Sequence, residues 1–237
     1  GYGLRGMLWY QGESNTADGA AYANQLRSLR DDWRSRFGAR LPLLVVQLAG
    51  YGQPPQAPVD SGWAQVREAQ RRVAAEDPHT GLAVAIDIGD AYDIHPPNKQ
   101  ELGRRLARVA RHVVYGERAL APSGPTVRTA SRAQGETRLA FDNVTGTLAT
   151  TGANGPIGFE LCDADARHCR YADAVLEGRE VVLDCMDCVE PASGRHYRSG
   201  ALRVRYCWAD GPVCTLRDSS GAPAGPFELS LNAAEVR

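Results

Sequence analysis

The chain has 237 residues, 43% of them hydrophobic, and a formal net charge of −1. This length supports one large domain or two small ones, each with a sizeable core. The near balance of acidic and basic residues leaves no basic field for nucleic acid or an anionic membrane surface, and no apolar run is long enough to span a bilayer.

The first half of the chain alternates strand and helix patterns. Short apolar runs predict buried strands at residues 5–10, 41–48 and 82–88. Each run is followed by apolar residues at helical spacing, over residues 22–37, 63–73 and 102–113. Asn98 and Glu101 have the spacing of a capping box that opens the third helix. Three successive βα units predict a parallel sheet covered by helices.

The predicted sheet has few strands. Parallel sheets of this type usually carry about five or more. The chain also opens on Gly1-Tyr2-Gly3-Leu4, without the pattern of a secretory signal peptide. We therefore expect either that a leader has been removed or that the chain begins partway through its gene, which would leave the sheet incomplete in this chain.

The pattern changes at a Pro/Gly linker, residues 121–125. Beyond it no helical stripe persists, and short strands are predicted at residues 137–141, 158–162, 180–183 and 202–208. Gly, Asp and Asn turns between them favour a small all-β sandwich or barrel. We expect an α/β domain over residues 1–120 and a β-rich accessory domain over residues 121–237.

The six cysteines form three close pairs along the second half of the chain: Cys162 and Cys169, Cys185 and Cys188, Cys207 and Cys214. Close pairs in a β-rich segment favour disulfides, and hence an oxidising compartment. Zinc is the alternative, because Cys185 and Cys188 have C-x-x-C spacing, but no second C-x-x-C completes four ligands. We therefore expect disulfides, of unassigned connectivity, and no metal.

Polar loops follow two of the predicted strands at their carboxyl ends, where open parallel sheets bind ligands. One loop is Tyr-Gln-Gly-Glu-Ser-Asn, residues 10–15, and the other covers residues 87–95. The topology therefore brings both loops to one crevice. The candidate residues of this crevice are Gly12, Asn15, Asp93 and His95.

His95 is the strongest single candidate for a catalytic side chain. A histidine base needs a second group to fix its tautomer and stabilise the imidazolium, and Asp93 lies two residues before it. The alternative is a surface histidine with an incidental acid nearby, because Asp-X-His is common by chance. The remaining histidines lack a comparable catalytic pattern around them, which favours structural or solvent-facing roles; they are His79, His112, His168 and His196.

The loop over residues 11–15 suits an oxyanion hole. Gly12 lets the backbone approach a reacting carbonyl closely and turn an N–H towards the developing charge. Either Gln11 or Asn15 would add a side-chain donor, and Glu13 would act as an acid that positions the loop. The alternative is an ordinary strand-to-helix turn with polar capping residues.

The segment WYQGESN, residues 9–15, resembles the signature of the sialate O-acetylesterase and acetylxylan-esterase-like branch of the SGNH/GDSL hydrolases. The resemblance continues through DWR (32–34), LP (41–42), QLA (47–49), Trp63, REAQ (67–70), DIHP (93–96), NK (98–99), GFE (158–160), VRY (204–206), Trp208, Pro223 and PF (226–227). It covers nearly the whole chain. Each piece alone is modest, but the combination is specific.

The resemblance implies a flavodoxin-like three-layer α/β fold and hydrolysis of sugar acetyl esters without metal or cofactor. In this family a serine attacks the acetyl carbonyl, a histidine takes its proton, and N–H donors hold the oxyanion. By position, His95 matches the histidine and Gly12 the oxyanion glycine, with Gln11 or Asn15 as the remaining element. The implied substrates are acetylated xylan or xyloglucan oligosaccharides or O-acetyl sialic acid, and no nucleic acid or membrane partner is implied.

Two features depart from the family pattern. The family's serine lies in a Gly-Gln-Ser-Asn motif that is absent from this chain, so we expect a preceding segment to carry it. Ser14 is the alternative, but Thr16 replaces the second glycine of a G-x-S-x-G elbow, and we interpret Ser14 as a hydrogen-bonding loop residue. The superfamily acid usually stands three residues before the histidine, where this chain has Tyr92. Asp93 is the first choice, Asp90 the second, and a Ser–His dyad without an acid the third.

We therefore expect a periplasmic or secreted carbohydrate O-acetylesterase that needs a serine-bearing segment outside this chain. The alternatives are a non-catalytic carbohydrate-binding remnant of the same scaffold and an intracellular esterase with free or zinc-bound thiols. Trp63 and Tyr51 would suit stacking on a sugar, but Trp63 lies on a helical apolar stripe, which favours core packing. For the β-rich domain, supporting the catalytic domain is favoured over sugar binding.

Overall fold

The computed structural model describes residues 3–133, 136–184 and 202–231. The chain divides into two compact units. The first comprises Gly1–Gln53 and Ser61–Gly124, and the second comprises Pro54–Asp60 and Pro125–Arg237. None of the described helices combines the length and the apolar character that crossing a membrane requires.

The first unit contains the three predicted βα units. Its elements are β1 (Met7–Trp9), α1 (Gly19–Phe37), β2 (Leu43–Gln47), α2 (Gly62–Ala75), β3 (Thr80–Val84) and α3 (Lys99–Val113). The strands pair in parallel in the order β1-β2-β3, with β2 in the middle. The prediction of a parallel sheet with intervening helices is confirmed.

Strand β2 separates two apolar layers. All five of its residues are buried. Leu43 and Val45 pack in one cluster with residues of α1 and α2, whereas Leu44 packs in another with Val109 of α3. Because successive side chains of a strand point to opposite faces, α1 and α2 cover one face of the sheet and α3 covers the other. This is the three-layer α/β arrangement that the family resemblance implies.

The third strand ends earlier than the apolar run that predicts it. Its hydrogen-bonded part is Thr80–Val84, whereas the run continues to Ile88. Ala85 and Ile86 are still buried, at 0% and 5% exposure, but a turn closed by the Ile88 N–H and the Ala85 carbonyl contains them. Burial and strand pairing therefore end at different residues, and the apolar pattern reports only burial.

Of the two hydrogen bonds of the predicted capping box, the one accepted by the Asn98 side chain is confirmed. The Asn98 Oδ1 accepts a hydrogen bond from the Glu101 N–H at 3.2 Å. The Glu101 carboxylate does not return to the cap; it accepts hydrogen bonds from Arg105 at 3.0 Å and Arg104 at 3.4 Å. The cap fixes the start of α3 four residues after the Asp93-Ile94-His95 segment.

The second unit is all β over its described residues. Its strands are β4 (Thr126–Ala133), β5 (Glu136–Asp142), β6 (Leu148–Thr150), β7 (Phe159–Cys162), β8 (Cys169–Tyr171), β9 (Ala174–Glu177), β10 (Glu180–Asp184), β11 (Leu202–Tyr206), β12 (Leu216–Asp218) and β13 (Phe227–Leu231). Two four-stranded antiparallel sheets run in the orders β4-β5-β10-β9 and β13-β11-β7-β8, and β12 pairs with β6.

Aromatic residues fill the space between the two four-stranded sheets. Phe141 of β5 and Phe227 of β13 lie 6.2 Å apart between ring centroids, and Phe227 also contacts Phe159 and Tyr206. All four rings are at most 3% exposed. Two sheets that bury their facing sides against one core form a sandwich, so the all-β sandwich is confirmed.

The described residues contain two disulfides, Cys162–Cys169 between β7 and β8, and Cys207–Cys214 after β11. They confirm disulfide formation for two of the three close pairs in the sequence. Cys185 and Cys188 lie outside the described residues, so the structure does not test the zinc alternative for this pair.

Candidate active site

The loops that follow the three parallel strands meet at one edge of the sheet. Gly89, after β3, lies so close to Gly50, after β2, that a Cβ at Gly89 would collide with the Gly50 carbonyl oxygen. Next to it, Tyr51 and Asp90 form an isolated parallel bridge. The Lys99 ammonium at the start of α3 lies 5.1 Å from the ring centre of Tyr10, which opens the first loop. These contacts place the three loops at one edge of the sheet, and the crevice between them stays a prediction.

His95 and Asp93 are in direct contact within the third loop. The His95 Nδ1 lies 3.1 Å from the Asp93 Oδ1, and the same oxygen accepts the backbone N–H of His95 at 2.8 Å. These two hydrogen bonds, the backbone one contributing most, hold the pKa of the Asp93 carboxyl below its usual value. An Nδ1–H that donates to Asp93 leaves the Nε2 lone pair to accept a proton. The His95 side chain is 85% exposed, so Nε2 is accessible to a nucleophile.

The two other acids near His95 are engaged elsewhere. The Asp90 Oδ1 accepts the backbone N–H groups of Tyr92 at 2.8 Å and of Asp93 at 3.2 Å, which closes a turn. The Asp87 carboxylate binds the Arg105 guanidinium through two bonds of 2.5 and 3.0 Å. Among these three acids, Asp93 is the one that contacts His95 in the described residues. Its assignment as the triad acid remains a prediction.

The peptide between Gln11 and Gly12 is held in one orientation. The Gln11 carbonyl accepts hydrogen bonds from the Tyr22 hydroxyl at 2.7 Å and from the Gln70 amide at 3.1 Å. In a trans peptide the following N–H points away from that carbonyl. The Gly12 N–H makes no hydrogen bond within the described residues. It is therefore a fixed donor with no internal acceptor, which is the property that an oxyanion donor requires.

Gly12 meets two requirements that only glycine satisfies. Its φ is 149°, a conformation that side-chain-bearing residues rarely adopt. A Cβ at this position would lie 2.8 Å from Val66 Cγ1 and 3.2 Å from Leu48 Cδ1. The first loop thus packs against α2 and the end of β2 with no space for a side chain at Gly12.

The remaining residues of the first loop form a short hydrogen-bonded chain. The Gln11 amide donates to the Asn15 Oδ1 at 2.6 Å, and the Asn15 amide donates to Gln25 Oε1 at 2.9 Å. Gln11 and Asn15 are thus hydrogen-bonded to each other, and both stay candidates for the side-chain oxyanion donor. Glu13 begins the 3₁₀ turn Glu13–Asp18. Ser14 is exposed, and its hydroxyl makes no hydrogen bond within the described residues, contrary to its interpretation as a hydrogen-bonding loop residue.

Two buried polar residues of α2 hold loop backbone at the carboxyl edge of the sheet, and sequence reasoning assigned them no role: Arg67 binds the backbone that follows β2, and Gln70 links that backbone to the first loop. Arg67, at 0% exposure, donates to the carbonyls of Leu48 at 2.9 Å and Ala49 at 2.6 Å. The Gln70 Oε1 accepts the Leu48 N–H at 3.0 Å while its amide binds Gln11. A signal was present in the sequence: Arg67 and Gln70 are polar residues on the buried stripe of α2. Buried polar groups need partners, and here the partners are loop backbone.

A second Asp–His pair shows that contact geometry alone does not single out His95. In the turn between β7 and β8, His168 Nδ1 lies 2.7 Å from Asp163 Oδ2, a shorter contact than that of His95. His168 is also exposed, at 62% of its side chain. What distinguishes His95 is its place at the carboxyl edge of a parallel sheet, beside the Gly12 loop.

Residues 2–112 match the family model of carbohydrate esterases described as sialic acid-specific acetylesterase. The sialate O-acetylesterase of Mus musculus is 28% identical over 97% of this chain and 45% of that protein. The Homo sapiens enzyme is 34% identical over 52% of this chain and 26% of that protein. A crystal structure of a carbohydrate acetylesterase from Xanthomonas citri matches with a TM-score of 0.80 and 35% identity, over 95% of this chain and 50% of that one.

All three comparisons support the sialate O-acetylesterase-like family of SGNH hydrolases. The resemblance derived from the sequence motifs is thereby confirmed. The family match contains Gly12 and His95 and stops before His168. The chain spans about half the length of the relatives it matches, 45% of the mouse sialate O-acetylesterase and 50% of the Xanthomonas chain.

Proposed function

We propose that this chain carries the histidine base and the oxyanion glycine of a serine-type carbohydrate O-acetylesterase. The observation that carries the proposal is the pairing of two features at one sheet edge. One is His95, oriented by Asp93 at 3.1 Å with Nε2 exposed. The other is the Gly12 N–H, fixed in direction and without an internal acceptor. General-base and oxyanion groups at one edge are the two parts that acyl transfer needs besides a nucleophile.

In the proposed reaction a serine oxygen attacks the acetyl carbonyl of an O-acetylated sugar. His95 Nε2 takes the serine proton, and the Gly12 N–H binds the oxyanion of the tetrahedral intermediate. When the intermediate collapses, the imidazolium of His95 returns the proton to the departing sugar oxygen and an acetyl-serine remains. Water, deprotonated by His95, then attacks this ester; the bond to the serine oxygen breaks, the imidazolium returns the proton to that oxygen, and acetate is released. Asp93 stabilises the imidazolium in both halves.

We propose that the serine comes from a segment outside this chain. The 237 residues contain no Gly-Gln-Ser-Asn motif. Ser14 is the nearest serine to the Gly12 donor in sequence, and its hydroxyl makes no hydrogen bond to a histidine within the described residues. A nucleophilic serine needs a base within hydrogen-bonding reach, so Ser14 lacks the partner that the role demands.

The substrate class follows from the relatives, whose names specify sialate or carbohydrate acetyl esters. A panel of acetylated xylan, acetylated xyloglucan oligosaccharides and 9-O-acetyl sialic acid tests it by acetate release from the full-length protein. We expect release from at least one member at a rate well above that of buffer. Binding of the deacetylated sugars without any release would identify the alternative, a non-catalytic carbohydrate-binding remnant.

We propose that the protein is exported to the periplasm or the medium. The disulfides Cys162–Cys169 and Cys207–Cys214 support this, because such bonds persist in oxidising compartments and are rare in the cytosol. Thiol titration of protein purified without reductant, under denaturing conditions, checks the proposal. We expect these four cysteines to be unreactive, and a titre of six thiols would refute export.

A further inference from the structure

The second unit contains a cavity of about 600 Å³, all of whose lining residues belong to that unit. This volume falls within the roughly 300–1,000 Å³ typical of small-molecule sites. Three of its lining residues are large hydrophobics that stay well exposed: Ile157 at 46%, Tyr171 at 44% and Val213 at 48%. The cavity is thus open to solvent, and these three apolar side chains of its wall are exposed to water.

A buried glutamate with one carboxyl oxygen that makes no hydrogen bond in the described residues lines this cavity. Glu160 of β7 is 2% exposed, and its Oε2 has no hydrogen-bond partner within the described residues. Its cross-strand neighbour Arg205 donates instead to Glu228, from Nε at 2.7 Å. Burial raises the pKa of Glu160 to about 7, against the opposing effect of Arg205 and with a smaller contribution from Glu228. A buried carboxyl oxygen without a hydrogen bond costs stability, and the charge of Arg205 offsets only part of that cost.

An indole N–H in the same cavity is also without a partner. Trp208 is 4% exposed, lines the cavity, and its Nε1 has no hydrogen-bond acceptor within the described residues. The Arg205 guanidinium lies over its ring at 4.3 Å from the centre, which holds the indole in place. Two residues that line the cavity thus carry a buried carboxyl oxygen and a buried N–H that no group of the described residues engages.

We propose that this cavity binds a neutral sugar ring. A hydroxyl group both donates and accepts, so sugar hydroxyls match the Glu160 carboxyl in either protonation state and the Trp208 N–H at the same time. The C–H face of a pyranose suits the apolar wall that Tyr171 provides. Ordered polar atoms on an apolar wall are the usual composition of a small-molecule site.

Charged ligands fit this cavity less well. A ligand carboxylate would be repelled by an ionised Glu160, and an ammonium group would add positive charge beside Arg205. Metal binding is disfavoured by chemistry. Glu160 lies with the sulfurs of Cys162 and Cys169 inside 4.8 Å, but these sulfurs are bonded to each other and do not act as thiolate ligands.

The site is separate from the proposed esterase chemistry. Binding of an unacetylated sugar needs neither His95 nor an acetyl group. A test of sugar binding in the β unit is therefore independent of a test of esterase activity. Titration calorimetry of the 237-residue chain with xylotetraose, cellotetraose, chitosan tetramer and N-acetylneuraminic acid tests it. We expect heat of binding with at least one of the two neutral tetrasaccharides, and not with the cationic or anionic sugar. His95→Ala should leave this binding unchanged.

Two substitutions at one position test the hydrogen bond. Glu160→Leu keeps the approximate size but removes the hydrogen-bonding atoms, and should weaken binding by about tenfold or more, whereas Glu160→Gln should stay within about threefold of the wild type. Glu177→Leu, a surface change on β9, is the matched control and should have no effect. Val213→Ser, at an exposed position of the wall, should weaken binding by about fivefold through lost apolar contact.

Thermal unfolding separates a binding role of Glu160 from a structural one. The pKa of Glu160 rises from the usual 4.5 to about 7 on folding, so the folded state loses stability as pH rises from 4.5 to 7. Glu160→Leu should therefore unfold at a higher temperature than the wild type at pH 8, with a smaller difference at pH 5. A lower unfolding temperature at pH 8, unchanged sugar binding in Glu160→Leu, or no binding of either neutral tetrasaccharide would each overturn the proposal.

Discussion

Replacing His95 with alanine in the full-length protein should lower kcat for p-nitrophenyl acetate by about 10³–10⁴-fold or more, because losing a member of a serine triad removes proton transfer in both halves of the reaction. KM should change little, since His95 acts on the proton rather than on the bound ester. The fold should persist, because the imidazole is 85% exposed and its ring bonds only Asp93 in the described residues. Steady-state kinetics and the unfolding temperature are the measurements.

His168 supplies the matched control. It is an exposed histidine paired with an aspartate at 2.7 Å, but it lies in the β unit. His168→Ala should leave kcat unchanged, and equal losses in the two variants would contradict the assignment. Asp93→Asn and Asp90→Asn then separate the two acids. Asp93→Asn should lower kcat by about 10²–10⁴-fold, whereas Asp90→Asn keeps an oxygen for the turn and should have a far smaller effect.

Gly12→Ala should damage both stability and catalysis. The added Cβ would lie 2.8 Å from Val66 Cγ1, and the φ of 149° is strained for alanine. Overpacking and backbone strain together should cost about 2–4 kcal/mol of unfolding free energy. Any shift of the Gln11–Gly12 peptide also turns the N–H away from the oxyanion, which should lower kcat by about 10²–10³-fold. Urea unfolding and acetyl ester kinetics measure the two effects.

Gly103→Ala is the matched control for this glycine. Gly103 lies in the interior of α3, is exposed, and has open space where its Cβ would be. Alanine is favoured over glycine in a helix interior by about 1 kcal/mol, so this variant should be slightly more stable and fully active. If Gly12→Ala behaved in the same way, the first loop would not be the tightly packed element described here.

The helices and the buried strands of the first unit follow from periodicity, because their apolar faces are continuous in the sequence. Several short strands of the β unit do not follow from it. Leu148–Thr150 and Leu216–Asp218 have three residues each, too few for an alternating pattern to stand out. The strand Thr126–Ala133 carries the sequence TVRTASRA, whose small and polar residues give little apolar signal.

The candidate site was predictable where it depends on topology. Gly12 follows β1 and His95 follows β3, two parallel strands on either side of β2, so the rule for the carboxyl ends of parallel strands places both loops at one edge of the sheet. The roles of Arg67 and Gln70 were not predictable in the same way. They depend on which backbone groups of β2 and the first loop lie opposite α2, and this is fixed only by tertiary packing.

Glu160 illustrates the same limit in the β unit. Its sequence context, Gly-Phe-Glu-Leu-Cys, predicts a short strand and does not indicate that the glutamate is buried. In the structure both faces of β7 are buried, and all four strand residues are inaccessible. The partners that bury Glu160 come from β11 and β8, and Arg205 is committed to Glu228. The sequence around Glu160 indicates neither its burial by β8 and β11 nor the pairing of Arg205 with Glu228.

The central claim is that His95 and Gly12 serve a serine nucleophile in acetyl ester hydrolysis. The most direct measurement is acetate release from acetylated xylan or sialic acid by the full-length protein, before and after treatment with a fluorophosphonate, with the 237-residue chain assayed beside it. We expect release by the full-length protein, loss of that release after treatment, and little release by the 237-residue chain alone. Release that survives the fluorophosphonate, or equal release by the isolated chain, would contradict the claim.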